Sequence, residues 1–164
     1  MKKNFILLIL FGITFYSILG ADALFYINVS KSLPRGLYMK IPSKNLEVGD
    51  YVVYEPPPTV KNIVEKNHWN DGDVRYFSKK VGAVGGDTYE IKSNGDFFVN
   101  GKFYAKTLEE DGMGNKLPKL RGKFKVPDGY FLPLGIAEKS FDGRYTGVIA
   151  ESRVKSRVIP IWTE

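Results

Sequence analysis

The sequence predicts a mainly β, antiparallel fold with little helix, preceded by one N-terminal apolar helix, and three observations lead to it. Aromatic residues and glycine are abundant together, with 10 Tyr, 11 Phe and 17 Gly in 164 residues, a mixture that suits short strands and tight turns better than long helices. Apolar residues alternate in short runs, and each run is closed by Pro, Gly, Asn or Asp. A single long apolar run stands at the N-terminus. The length fits one globular domain with its own core.

Taken in order, Lys2 and Lys3 precede a 17-residue apolar run from Phe5 to Ala21, interrupted only by Gly12, Thr14, Ser17 and Gly20. As a helix it would cover roughly 25 Å, the short end of what crosses a bilayer core. Residues 1–22 therefore read as a membrane anchor, with lysines on the cytoplasmic side and Asp22 beyond the run. Ala21-Asp22-Ala23 also fits a small-x-small cleavage site, so a removable signal peptide is the alternative. Either way residues 23–164 read as an exported β-rich domain, with a membrane lipid surface as its neighbour.

Ala23 to Val29 forms the first expected strand, followed by Leu37 to Ile41, which Pro42 closes, and Tyr51 to Tyr54, which Pro56-Pro57-Pro58 ends. Thr59 to Lys66 suits a short helix, and the polar stretch through Asp73 a surface loop. Tyr76 to Val84 alternates with period two, placing Phe77, Lys79, Val81 and Ala83 on one face and Tyr76, Ser78, Lys80 and Gly82 on the other. Gly85-Gly86-Asp87 then turns the chain. Thr88 to Ile91, Asn94-Gly95-Asp96, Phe97 to Val99 and Asn100-Gly101 read as a hairpin series. Residues 104–122 form a polar excursion, Val126 to Leu132 a turn and strand, and Val148 to Trp162 the closing strand or strands.

The formal net charge of +6 does not imply nucleic acid, because the Lys and Arg are scattered among acids and form no stripe or helix face. A mildly basic surface near anionic lipid accounts for it. Without cysteine there is no disulfide and no thiolate metal site. The single histidine, His68, lies in a polar loop, and with no second His a zinc site is not expected.

The stretch from Asn28 to Tyr38 sets Ser30 and Ser32 two residues apart, between a strand and the Pro34/Gly36 turn. A serine there is either an ordinary turn residue or a nucleophile exposed at the end of a rigid element. Lys79, on the more apolar face of its strand, is either an inward-pointing charge that discourages edge pairing or an amine desolvated so that it can take a proton. Ser140, Asp142 and Arg144 form a later polar cluster, in which the Asp-x-Arg spacing reads as a solvated ion pair worth under about 1 kcal/mol. A Ser32/His68/acid triad is a further formal arrangement.

Three motifs, in order behind one apolar run, resemble the type I signal peptidase family, serine proteases with a Ser/Lys dyad. They are Ser30-x-Ser32-x-Pro34-x-Gly36-x-Tyr38, Lys79-Lys80-Val81-x-Ala83-x-x-Gly86-Asp87 and Ser140-x-Asp142-x-Arg144-Tyr145-x-Gly147. The small size and the ending Ile159-Pro160-Ile161-Trp162 look most like its conjugative-transfer branch, the plasmid-type peptidases that process pilin subunits. The resemblance implies the signal-peptidase-like β-fold, with Ser32 as nucleophile and Lys79 as general base. It implies that Ser30 and the Ser32 backbone N–H form an oxyanion hole, that Ser140 orients the lysine, and that Asp142 and Arg144 brace the site. It further implies an exported precursor or pilin as substrate and no metal or organic cofactor. Lys80 stands where Arg is usual, and the alternation argument selects Lys79 over it; Gly85 stands where Pro is common. Two alternatives remain: an exported β-domain that is a non-catalytic scaffold, with Lys79 turned to solvent, and a Ser/Lys self-cleaving repressor, for which the chain offers no DNA-binding segment.

Overall fold

Pro, Gly and Asn-Gly positions cut the chain into short strands in the computed structural model, which describes residues 2–19, 24–69 and 74–164. The apolar run forms α1 (Lys2–Leu19), about 27 Å long at the α-helical rise, and its side chains from Ile6 to Phe15 are exposed. No helix among the described residues is long and apolar enough to cross a membrane, and the anchor expected over residues 1–22 runs past Leu19 into residues outside those described. The Ala21-Asp22-Ala23 motif and loop residues 70–73 lie outside the described residues.

Past α1 come β1 (Phe25–Asn28), β2 (Gly36–Ile41), β3 (Tyr51–Tyr54) and the short helix α2 (Pro58–Lys66). Pro58 sits at the start of α2, where a missing N–H is harmless, and Val60 and Val64 bury its inner face. The chain continues through β4 (Phe77–Val84), β5 (Thr88–Ile91), β6 (Asp96–Val99), β7 (Lys102–Lys106), β8 (Gly122–Lys125) and β9 (Tyr130–Leu134). One turn of helix, α3 (Gly143–Thr146), precedes β10 (Ile149–Ala150) and the long β11 (Val154–Thr163).

Two antiparallel sheets result. The larger runs β1-β2-β11-β3-β4-β9-β10 and the smaller β7-β6-β5-β8. β4 is central because its C-terminal end feeds the smaller sheet through Gly85-Gly86-Asp87, where Gly86 takes φ +93 and the Asp87 carboxylate accepts the Val84 N–H at 2.9 Å. Gly85 has its own reason to lack a side chain: a Cβ there would lie 2.8 Å from the Asp128 carboxylate. The hairpin signal at Asn100-Gly101 is real as well, both residues having the positive φ of a type I′ turn.

Alternation along β4 drives packing. Val81 joins Val52, Tyr54 and Phe131 in one core, while Ala83 joins Tyr89, Phe97 and Leu132 in the core between the sheets. Ser78, expected on the polar face, is buried too, because a buried amide from β1 receives its hydroxyl. The polar stretch 104–122 holds the end of β7 and then a loop closed by a bridge between Glu110 and Lys116, with Thr107 and Leu117 turned inward.

β2 and β11 meet most closely at Gly36. It takes φ +146, and a Cβ there would lie 2.0 Å from the Trp162 carbonyl oxygen and 2.8 Å from the Thr163 Cα, backbone atoms that cannot swing aside. Gly36→Ala is expected to lower stability by about 2–3 kcal/mol, read as a lower denaturant midpoint; an unchanged midpoint would show that this closure carries no strain.

Candidate active site

The serine turn is shaped by Asn28, the last residue of β1, whose amide is fully enclosed. Its Nδ2 donates to the carbonyls of Ser30, Leu33 and Pro34, each at 3.0 Å. Its Oδ1 accepts the Ser30 N–H at 3.2 Å, the Ser30 hydroxyl at 2.8 Å and the Ser78 hydroxyl at 3.1 Å. One side chain thus satisfies backbone groups that a tight turn would otherwise leave unpaired. Tyr38 donates its hydroxyl to the Pro34 carbonyl at 2.6 Å, and Leu33 is packed beneath. Ser32 is left half-buried at the rim of this rigid loop.

Lys79 reaches it from β4. The Nζ lies 2.7 Å from Ser32 Oγ and 2.7 Å from Ser140 Oγ, and the residue is only 4% exposed. Burial pushes its pKa down to about 8; Asp142 nearby pulls upward and Arg144 downward by lesser amounts. A buried ammonium has lost its water, and two hydroxyls replace only part of it.

The segment after β9 holds Ser140 in place. Arg144 is 1% exposed and Asp142 1% exposed, so the pair expected at the surface is buried. Arg144 Nε and Nη2 bond the two oxygens of Asp142 at 2.9 and 3.0 Å. Nη1 also donates to the Glu138 carbonyl at 2.8 Å, and Nη2 also lies within hydrogen-bond distance of the carbonyls of Ala137 at 3.2 Å and Ser140 at 3.0 Å. Asp142 also accepts the Gly135 N–H at 2.8 Å. A planar five-donor cation gathers three carbonyls of one loop, which Lys could not do. The same loop touches the serine turn, as the Ile136 N–H donates to the Ser32 carbonyl at 2.9 Å.

All six residues singled out from the motifs therefore come together. Ser32, Lys79 and Ser140 form one chain of polar contacts, and Asp142 and Arg144 brace its far end. Ser30 is adjacent but turned. Its Oγ accepts the Ser32 N–H at 3.3 Å while donating to Asn28, so presenting both donors to one oxygen requires the Ser30 hydroxyl to leave Asn28. His68 is exposed in a left-handed turn after α2 and does not line the groove that holds Ser32. Lys80 points away from Lys79, as the alternation requires. A scaffold without chemistry was expected to turn Lys79 to solvent; the amine is enclosed.

Three positioning residues were not identified from the motifs. Asn28 stood in the motif stretch without a role. Ser78 lies on the strand face opposite Lys79 and was given no role. Gly135 carried no local signal, yet a Cβ there would lie 1.9 Å from Ser140 Oγ, so only glycine lets that hydroxyl reach Lys79. The groove over the dyad encloses about 460 Å³, and Tyr26, Val29, Val64, Tyr76 and Phe77 supply much of its apolar lining. An extended polypeptide could lie there, and no group of metal-ligating side chains occurs among the described residues.

The chain is similar to known proteins. The family model for signal peptidase, peptidase S26, matches residues 1–163. The chain is 30% identical over 152 residues to a plasmid transfer protein TraF of Escherichia coli, covering 84% of this chain and 82% of that protein. A second Escherichia coli plasmid transfer protein TraF is 29% identical over 147 residues, with the same coverage of 84% and 82%. The crystal structure of a signal peptidase I from Enterococcus faecalis is similar at 16% identity and a TM-score of 0.43, covering 71% of this chain and 98% of that one.

The depressed lysine pKa has a stability consequence whose sign is fixed. The folded value of about 8 lies below the ordinary lysine value of 10.5, so the folded state gives up its proton first. The penalty for burying the charge is complete below about pH 8, shrinks as pH rises, and is gone above about 10.5. Lys79→Met is therefore expected to be more stable than the parent at pH 7 by about 1–3 kcal/mol, with the gap closing toward pH 10.5. A gap that is absent, or independent of pH, would mean that the amine is not desolvated.

Proposed function

Because this chain belongs to the signal peptidase family, peptidase S26, we propose that it is a membrane-held serine endopeptidase that cleaves exported precursor proteins through a Ser32/Lys79 dyad. The observation that carries the proposal is the 2.7 Å contact between Lys79 Nζ and Ser32 Oγ, made by an amine sheltered from water.

As an ammonium, Lys79 donates to both hydroxyls. Once neutral, it keeps one N–H on Ser140 and turns its lone pair to the Ser32 hydroxyl, whose proton it takes as Oγ attacks the scissile carbonyl. The Ser32 N–H and the Ser30 hydroxyl, released from Asn28, stabilise the oxyanion that forms. The lysine proton passes to the leaving amine as the C–N bond breaks. Water, deprotonated by the same amine, then frees the acyl group. Substrate covering the groove dries it further and favours the neutral amine.

Both relatives are named plasmid transfer proteins, which supports an exported precursor of a conjugation apparatus, such as a pilin subunit, as the substrate. Membrane location has its own support. Register pairs Met39 with both Phe25 and Ile159, and Leu37 with both Ile27 and Trp162, so these apolar side chains share one face. Ile27, Met39, Ile159 and Trp162 are exposed on it, Trp162 at 63%. A contiguous apolar strip beside the serine turn suits a lipid surface. With α1 it would hold the groove at the membrane, and Lys2 and Lys3 before the apolar run with Asp22 after it favour the outer face of the cytoplasmic membrane.

Two tests follow. On a precursor peptide with a small-x-small site, Ser32→Ala and Lys79→Ala should both abolish cleavage, and Ser30→Ala should slow it about a hundredfold. The parent rate should climb about tenfold per pH unit below the lysine pKa near 8 and level off above it; parental rates in either dyad variant would refute the mechanism. In a Trp69→Phe background, Trp162 fluorescence should shift to the blue in phospholipid vesicles and be quenched by brominated lipid. Emission indifferent to the quencher would detach the strip from the bilayer.

A further inference from the structure

The loop between β7 and β8 has no part in the dyad, yet it encloses a second cavity. About 380 Å³ is bounded by Leu108, Met113 and Leu117 of the loop and by Phe141 and Tyr145 behind the dyad. That volume lies within the ~300–1,000 Å³ typical of clefts that take a ligand. The loop is shaped to hold it open. Asp111 accepts N–H groups from Met113 at 2.8 Å and Asn115 at 2.8 Å and the Asn115 amide at 2.8 Å, and it also accepts the Trp69 indole N–H. Tyr145 accepts the Leu108 N–H at 2.9 Å. The first part of the loop is thereby tied to Tyr145 and Trp69.

The wall between this cavity and the dyad groove is shared: Trp69, Lys139 and Phe141 line both. Trp69 packs on Phe141 at 4.8 Å between ring centroids, and Phe141 stacks on Tyr145 at 5.8 Å. Phe141 follows Ser140 directly. A chain lying across Ser32 that continues past Lys139 thus meets an apolar hollow next. Met113, at the mouth and 65% exposed, is a side chain that adapts to varied apolar shapes.

Resting on the peptidase reading, we infer that this cavity is a second substrate pocket, which receives one large apolar side chain of the same polypeptide whose small residues lie at Ser32. It would select substrates by a residue away from the cut bond. Binding energy drawn from there lowers KM, because it is present equally in the bound substrate and the transition state.

The test uses the purified full-length protein and Ala-Xaa-Ala peptides on an Ala/Ser/Gly background, with Leu placed at each flanking position in turn. At one position Leu should lower KM about tenfold with kcat unchanged, and Met113→Asp should remove that gain. Met113 stands exposed in its turn, so the variant is expected to fold, and its melting transition checks this. Cleavage with KM indifferent to Leu at every position, or a gain that survives Met113→Asp, overturns the pocket and leaves the peptidase reading intact. No cleavage of any peptide overturns the peptidase reading and the pocket with it.

Discussion

One amine deprived of water is the constraint from which the rest of this structure follows. Lys79 can accept a proton only when neutral, so the fold must enclose it without giving it a carboxylate of its own. β4 does the enclosing, because it lies between β3 and β9 in the larger sheet and sets Lys79 between Phe77 and Val81 on its apolar face. Two hydroxyls then supply hydrogen bonds that leave the charge uncompensated. Such a site lowers stability at neutral pH, and strongly perturbed groups of this kind cluster at functional sites.

The two hydroxyls need separate supports, and the chain provides one for each. Ser32 depends on Asn28, whose single amide ties the serine turn to β4 through Ser78, the neighbour of Lys79. Ser140 depends on Arg144, which gathers three carbonyls of its loop, and on Gly135, which leaves room for the hydroxyl. The two supports meet where the Ile136 N–H bonds the Ser32 carbonyl. Ser32, Lys79 and Ser140 therefore belong to one connected network of polar contacts.

Much of this was legible from sequence because it is local. Period-two alternation picked Lys79 over Lys80, Asn100-Gly101 and Gly85-Gly86-Asp87 marked turns by their φ requirement, and the motif spacings placed the six site residues. What escaped depends on partners far apart in the chain. Asn28 and Ser78 are 50 residues apart, so neither announces the other. Trp69 and Asp111 are 42 apart, and polar composition over 104–122 hid Leu117, which is buried. An Asp-x-Arg spacing is the same on a surface or in a core; only the folding of the Ile136 to Ser140 segment over it decides the depth.

Burial of the Asp142–Arg144 pair also answers an electrostatic difficulty. Asp142 alone would pull the Lys79 pKa upward, against the desolvation that β4 provides. Arg144 opposes it, and two short bonds to the carboxylate make the pair nearly neutral toward a third charge. The brace can therefore be ionic, with the directional bonding that fixes Ser140, and still leave the lysine pKa governed by burial. An apolar brace of equal volume would match the stability, but it would offer no donors to the carbonyls of Ala137, Glu138 and Ser140. The ion pair is what holds one loop in place beside an amine whose charged form burial disfavours.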